Sequence, residues 1–359
     1  MPDRTIPPRI SAILLSGACL LAITASQEAR AIDPDLFVIN GYSSFEVEKQ
    51  WGDEGNGDPY LSFDADLFDI VLNFVPTERV RAAADVTWEH GAASEDGRGN
   101  VALEYAFVEY TVSDAMRLRV GKHFVPFGLF NEVHTAKPAF LPVKEAAATN
   151  KPERIVDAER FFPRWAAGIS VQGDLFPGAT HIDYKILVSN GEQENTNPYE
   201  EDDNLAKAVT GRVRLEAGPV RVGTSSYYDY LSDGGVTVFS QGGQLEVYAG
   251  AFELWTEVVA GTRTLDSGGG TTQLGWFIQP AIRLPARITP YIQIGFIDPD
   301  LDTAEDEGTS VIGGINIEPS RGLQLKIEHN WLHGATQSSL ADLPGQGYHE
   351  TKAAVVLGF

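Results

Sequence analysis

The side chains with the widest chemical reach in this chain are its seven histidines, its clustered carboxylates and a single cysteine. His329 and His333 stand four apart in a stretch of strand character, where alternation puts them on one face near the end of the strand. No histidine pair shows the His-Glu-x-x-His spacing of a helical zinc site. His123 and His134 flank the entrance to a long connection, without a serine or aspartate placed to complete a nucleophile and base. Asp298-x-Asp300-x-Asp302 opens like a calcium loop, but its sixth position is Thr303 and its twelfth Thr309, where glycine and glutamate are required. The expectation is therefore no catalytic residue, no metal centre and no cofactor. What remains is charge, and charge acts through the elements that hold it.

Those elements begin with a leader. Arg4 and Arg9 precede an apolar run from Ile10 to Ile23, and Ala29-Arg30-Ala31 offers a small-x-small cleavage site, so residues 1–31 read as a secretory signal peptide. Cys19 would be removed with it, leaving neither a disulfide framework nor thiolate chemistry in 32–359. The mature chain would carry 24 basic and 48 acidic residues, a net charge of −24, which argues against nucleic acid as a partner. No later stretch approaches the roughly 20 consecutive apolar residues of a spanning helix, and 36 glycines and 20 prolines suit many strands joined by turns.

The tail Thr351-Lys-Ala-Ala-Val-Val-Leu-Gly-Phe359 reads as a strand with Thr351, Ala353, Val355, Leu357 and Phe359 on one face and Lys352 on the other. Ending on an aromatic resembles an outer-membrane β-barrel. Sixteen such stretches are countable, and their connections alternate between short turns, such as Phe176-Pro-Gly-Ala179 and Ala217-Gly-Pro219, and longer polar loops. That segregation predicts an all-β fold: a transmembrane antiparallel barrel of about 16 strands, with short turns on the periplasmic side. Within 79–91, Val80, Ala82, Ala84, Val86 and Trp88 face outward while Arg81, Asp85, Thr87 and Glu89 face inward. Such polar inner faces predict a wet lumen, since unpaired charges in a dry core cost too much.

The connection 126–164 is far longer than its neighbours, and a loop of that length in a compact fold is usually functional. Val120-Gly-Lys-His-Phe-Val-Pro-Phe-Gly-Leu-Phe-Asn-Glu-Val-His134, followed by Phe140-Leu-Pro-Val143, resembles the phosphate-selective porin O and P family. The resemblance implies a sixteen-stranded porin, a homotrimer, with 126–164 folded inward as a constriction. It also implies a ladder of wall cations and loop lysines, for which the candidates are Arg81, Arg119, Lys122, Lys185, Arg212 and Arg214 on the wall and Lys137, Lys144 and Lys151 on the loop. Loop carboxylates, with Glu132, Asp157 and Glu159 as candidates, would instead give a mixed eyelet whose transverse field favours dipolar solutes.

The loop holds six basic and five acidic residues, so both readings stand. The expected function is an outer-membrane channel for passive diffusion of small hydrophilic solutes, with anions such as phosphate as the finer possibility. A barrel serving as adhesin, scaffold or hydrolase is the alternative. The acidic loops 49–59, 191–204 and 298–308 are expected to meet lipopolysaccharide through divalent ions.

Overall fold

A computed structural model describes residues 33–52, 60–89, 100–133, 135–192, 205–232, 234–334 and 347–359. The expected signal peptide, most of the two loops 49–59 and 191–204, and His134 lie outside the described residues. By contacts the chain divides into two units, Met1–Phe37 and Val38–Phe359. In the first, Asp33 caps a 3-10 turn, Pro34–Leu36, its carboxylate accepting the Asp35 N–H at 3.0 Å.

The second is a closed antiparallel barrel of sixteen strands in chain order. They are β1 (Phe37–Gly52), β2 (Tyr60–Thr77), β3 (Val80–Glu89), β4 (Asn100–Ser113), β5 (Met116–Phe124), β6 (Trp165–Leu175), β7 (Thr180–Ser189) and β8 (Ala208–Ala217). There follow β9 (Val220–Leu231), β10 (Val236–Ala249), β11 (Phe252–Leu265), β12 (Gly270–Ile282), β13 (Ile288–Asp298), β14 (Gly308–Ser320), β15 (Leu323–His333) and β16 (Tyr348–Gly358). The count is that expected, and loop length segregates to one side except at 232–235 and 266–269, which are no longer than the turns 176–179 and 283–287 on the other. Four of the short turns each place a glycine at positive φ, Gly178, Gly218, Gly250 and Gly322, between 59° and 80°.

Closure is made by the tail. β16 pairs with β1 from Tyr42↔Gly358 to Gly52↔Tyr348, and Gly41 and Phe359 exchange two backbone hydrogen bonds of 2.9 Å. A side chain at Gly41 would run into the Phe359 ring at 2.4 Å, so glycine is what lets the terminal aromatic lie against the wall. Phe359 then stacks on Phe68 of β2 at 6.2 Å.

The two faces separate as alternation predicts. Phe45, Ile327, Val355 and Leu357 are exposed on the outside, whereas Glu46, Lys326, Lys352 and Asp85 are buried inside. Lys352 bonds Glu48 at 3.1 Å and Glu350 at 2.9 Å. One feature departs from a purely polar interior. Tyr227, Val259, Phe277, Ile297 and Leu332 are buried at inward positions, where they form an apolar floor. That floor carries the long connection.

Candidate functional site

Residues 125–164 leave β5, cross the lumen and return to β6. Their neck is tied by backbone and by one side chain: Val125 N–H donates to the Arg164 carbonyl at 3.0 Å, and the Asn131 amide donates to the carbonyls of Val125 at 2.7 Å and Arg164 at 3.0 Å. Beyond the neck, Gly128 adopts φ +64°, and a β-carbon there would lie 2.5 Å from Glu257 Oε2. The close approach lets Glu257 accept the Leu129 N–H at 2.6 Å.

Apolar burial holds the loop's body. Phe127 stacks on Phe162 at 4.2 Å, and both join Ile155, Val156 and Phe161 against Tyr227, Val238, Val259 and Leu332 of the wall. Phe130 and Phe140 pack against Trp255 and Phe277, with ring centroids 5.5 to 5.8 Å apart where they meet Phe130. Each buried phenylalanine contributes on the order of 1.5–3 kcal/mol, so the apolar body outweighs any single ion pair in keeping the loop inside.

Ion pairs fix its edges. Lys137 reaches both Glu46 and Asp66, and Lys144 joins the same carboxylates at 3.5 and 2.5 Å. Burial disfavours the Lys144 ammonium, but Asp66 and Glu46 more than offset it and hold its pKa above the usual lysine value. Lys151 and Arg164 share Glu145 at 3.2 and 2.7 Å, and Arg154 lies 3.5 Å from Glu350. At the deepest point Lys326 of β15 donates to the carbonyls of Lys137, Phe140 and Pro142 at 2.6, 2.6 and 2.9 Å. Next to it Glu328 accepts the Val143 N–H at 2.8 Å and the Tyr291 hydroxyl at 2.7 Å.

On the opposite side the loop offers one carboxylate to a basic arc of wall. Glu132 accepts from Lys185 at 2.8 Å and from Arg212. Burial alone would raise the Glu132 carboxyl, but Arg212 and Lys185 hold it well below the ordinary carboxylate range. Arg214 meets Asp183 at 2.9 Å, Arg119 meets Glu109 at 2.8 Å, and Arg81 donates to the Asn73 carboxamide at 3.0 and 2.7 Å. The Arg81 and Arg119 guanidiniums both lie over the Phe107 ring, at 5.5 and 3.7 Å. Lys122, expected on the lumen wall, instead shares the parity of Val120 on β5 and lies opposite Ala167, in step with Ile169, both exposed on the outside, so alternation turns it outward and away from the arc.

Of the residues expected from sequence, Arg81, Arg119, Lys185, Arg212, Arg214 and Glu132 therefore gather on β3–β8 and the loop edge facing them, whereas Lys122 does not. Lys137 and Lys144 lie elsewhere, in the pairs that bind loop to wall, and Lys151 pairs with Glu145 within the loop itself. Asp157 and Glu159 are exposed beside Thr271, Gln273, Asp300 and Asp306, in a depression of about 300 Å³. Their neighbours belong to the loop side of β12 and β13, so they sit at the barrel's mouth. Sequence reading missed Glu46, Asp66, Glu257, Lys326 and Glu328 as the loop's partners. The available signal was apolar residues at inward parity, Val259 and Phe277, which mark where something other than water lies against the wall.

A sixteen-strand barrel with a polar lumen and an inward loop defines an outer-membrane porin, a passive channel of the bacterial outer membrane. The sequence model of the phosphate-selective porin O and P family matches residues 69–142, which hold the Gly121–Glu132 stretch and the first half of the loop. Among solved structures, the chain is similar to an anion-selective porin from Comamonas acidovorans at 12% identity and TM-score 0.66, covering 90% of this chain and 99% of that one. It is also similar to Salmonella typhi OmpF in complex with daunomycin, at 10% identity and TM-score 0.62, covering 90% and 97%. The outer membrane channel DcaP of Acinetobacter baumannii matches at 10% identity and TM-score 0.58, over 90% and 97%. No curated protein matches the sequence.

Proposed function

We propose that this channel favours small anions, oxyanions such as phosphate among them, and carries out no catalytic step. The observation that carries the reading is the charge of the arc: five cations, Arg81, Arg119, Lys185, Arg212 and Arg214, against three carboxylates, Glu109, Asp183 and Glu132. Asp69, Asp85 and Glu104 stand on the neighbouring β2–β4 wall but are at most 2% exposed, whereas Arg119 and Arg214 of the arc keep 14% and 28% of their side chains accessible, beside Asp183 and Glu132 at 19% and 26%. Charges that reach the lumen water act on a passing ion more strongly than those sealed behind Tyr42 and Thr87. Guanidinium groups also suit oxyanions, which they can meet through two parallel N–H donors. The neighbour described as an anion-selective porin agrees with this reading.

The mixed eyelet is the second reading, and Glu132 facing Arg212 and Lys185 is what favours it. Arg81→Gln separates the two, because Arg81 is bonded to a carboxamide and its loss strands no carboxylate there. In planar bilayers, the anion reading expects a fall in the anion-to-cation permeability ratio. A ratio that stays put or rises would favour the mixed eyelet.

Assembly as a homotrimer, cleavage of the leader near Ala31, and lipopolysaccharide around the acidic loops belong to the same proposal. One of the similar structures, OmpT of Vibrio cholerae, is described in a trimer form.

A further inference from the structure

Near the long-loop end of the barrel, the outward faces of β1, β15 and β16 bring together side chains that the channel does not use. His329 lies opposite Thr351 in the ladder, and His349 lies opposite both Trp331 and Trp51. His329 and His349 are thus diagonal neighbours on adjacent strands. Their rings stack at 5.2 Å, and Trp51 closes the group, stacked on His349 at 5.4 Å and 5.6 Å from His329.

The nitrogens face one another. His329 Nε2 lies 3.1 Å from His349 Nδ1, while His329 Nδ1 lies 2.9 Å from the Thr351 hydroxyl oxygen. Two neutral imidazoles in this arrangement share one proton. A metal ion bound by two imidazole nitrogens at about 2.0–2.1 Å holds them about 3.3 Å apart in tetrahedral geometry and about 2.9 Å apart in square-planar geometry. The observed separation falls between those values, so an ion could replace the shared proton without changing the spacing of the two nitrogens, once the rings tilt to aim both lone pairs at it. Thr351 supplies the other requirement, an acceptor that fixes the His329 tautomer and leaves Nε2 for the metal.

We propose that His329 and His349 form a two-histidine chelate for a divalent transition metal of the copper, nickel and zinc type, on the outward rim of the barrel. Imidazole suits these ions, whereas the hard cations calcium and magnesium require oxygen donors. Among the described residues no group of three or more histidine, cysteine or acidic side chains is arranged around a metal. Water therefore completes the coordination, and affinity is below that of a closed structural site. Lys49, whose ammonium lies 5.6 Å from the Trp51 ring centre, faces the same patch and lowers affinity further. The same patch would bind an anionic headgroup only with both histidines protonated. Two imidazolium nitrogens 3.1 Å apart would repel, so the geometry favours the metal.

Copper(II) added to the detergent-solubilised full chain tests this by electron paramagnetic resonance and by titration calorimetry. The expected result is one ion per chain with a two-nitrogen superhyperfine pattern. His329→Gln and His349→Gln should each abolish that pattern and weaken binding at least tenfold, while Thr351→Val should weaken it by roughly tenfold or more through the lost orienting contact. The three positions are on two strands and point outward, and heat-modifiable gel mobility reports whether each variant has folded. Absence of a one-to-one site in the parent protein overturns the proposal, as does unchanged copper affinity in a folded variant lacking both histidines.

Discussion

Replacing Lys326 with methionine is expected to raise single-channel conductance several-fold while leaving the barrel folded. Lys326 is fully buried, and its ammonium serves the loop through three backbone carbonyls, those of Lys137, Phe140 and Pro142. Hydrogen bonds from a charged donor contribute about 1.5–3 kcal/mol each, and a buried carbonyl left without a donor costs about 1–3 kcal/mol. Methionine keeps the apolar length of the stem, so the principal loss is the anchor at the loop's deepest point. Phe140, whose ring centre lies 4.8 Å from the ammonium, loses a cation contact as well. The remaining aromatic packing of Phe130 against Trp255 and Phe277 keeps the rest of the loop in place, so release is confined to about residues 137–142. Unchanged conductance, with unchanged chymotrypsin protection of the Phe140–Leu141 peptide bond, would show that this anchor does not shape the pore.

Glu132→Gln should shift ion selectivity further toward anions than any other single neutral substitution in the lumen. The change removes one of the arc's three carboxylates and leaves Lys185 and Arg212, 5% and 6% exposed, without the partner they share. Breaking a buried pair from one side costs about 3–5 kcal/mol, less here because Arg212 keeps Asp183 at 3.7 Å. The loop edge near Val133 should therefore loosen while local positive potential rises.

Acid should not imitate this variant. The Glu132 pKa is depressed in the folded protein, so its stabilising contribution is present above the ordinary carboxylate value and is lost only as pH falls through the depressed one. Selectivity governed by Glu132 should accordingly hold from neutral pH down to about 4, near the ordinary carboxylate range. A transition in selectivity near that value which Glu132→Gln abolishes would contradict the assignment.

Strands were legible in the sequence because alternation and turn chemistry are local. The Ala217-Gly-Pro219 turn and the inward parity of Lys352 needed no knowledge of distant residues. The loop's seat was not legible for the opposite reason. Its partners Glu46, Asp66, Glu257 and Lys326 come from strands far apart in the chain, and each alone reads as one more lumen charge. The same ambiguity hid the division of labour among cations. Lys137 and Arg212 both read as basic residues near a constriction, yet Lys137 is buried between two wall carboxylates while Arg212 lies in the arc that faces Glu132. Inward apolar residues such as Phe277 were the one local mark of the loop's seat.

The arc, not the acidic exterior, is expected to set which ions pass. The exterior charges near Asp298, Asp300 and Asp306 are screened within roughly 10 Å at 0.1 M salt, so the arc should dominate as ionic strength rises. The most direct measurement is the zero-current potential of the unmodified protein in a planar bilayer across a potassium chloride gradient, taken at low and high mean salt. The expected result is a potential of the anion-selective sign that strengthens, relative to the ideal value, as salt increases. A potential of the cation-selective sign at high salt would contradict it.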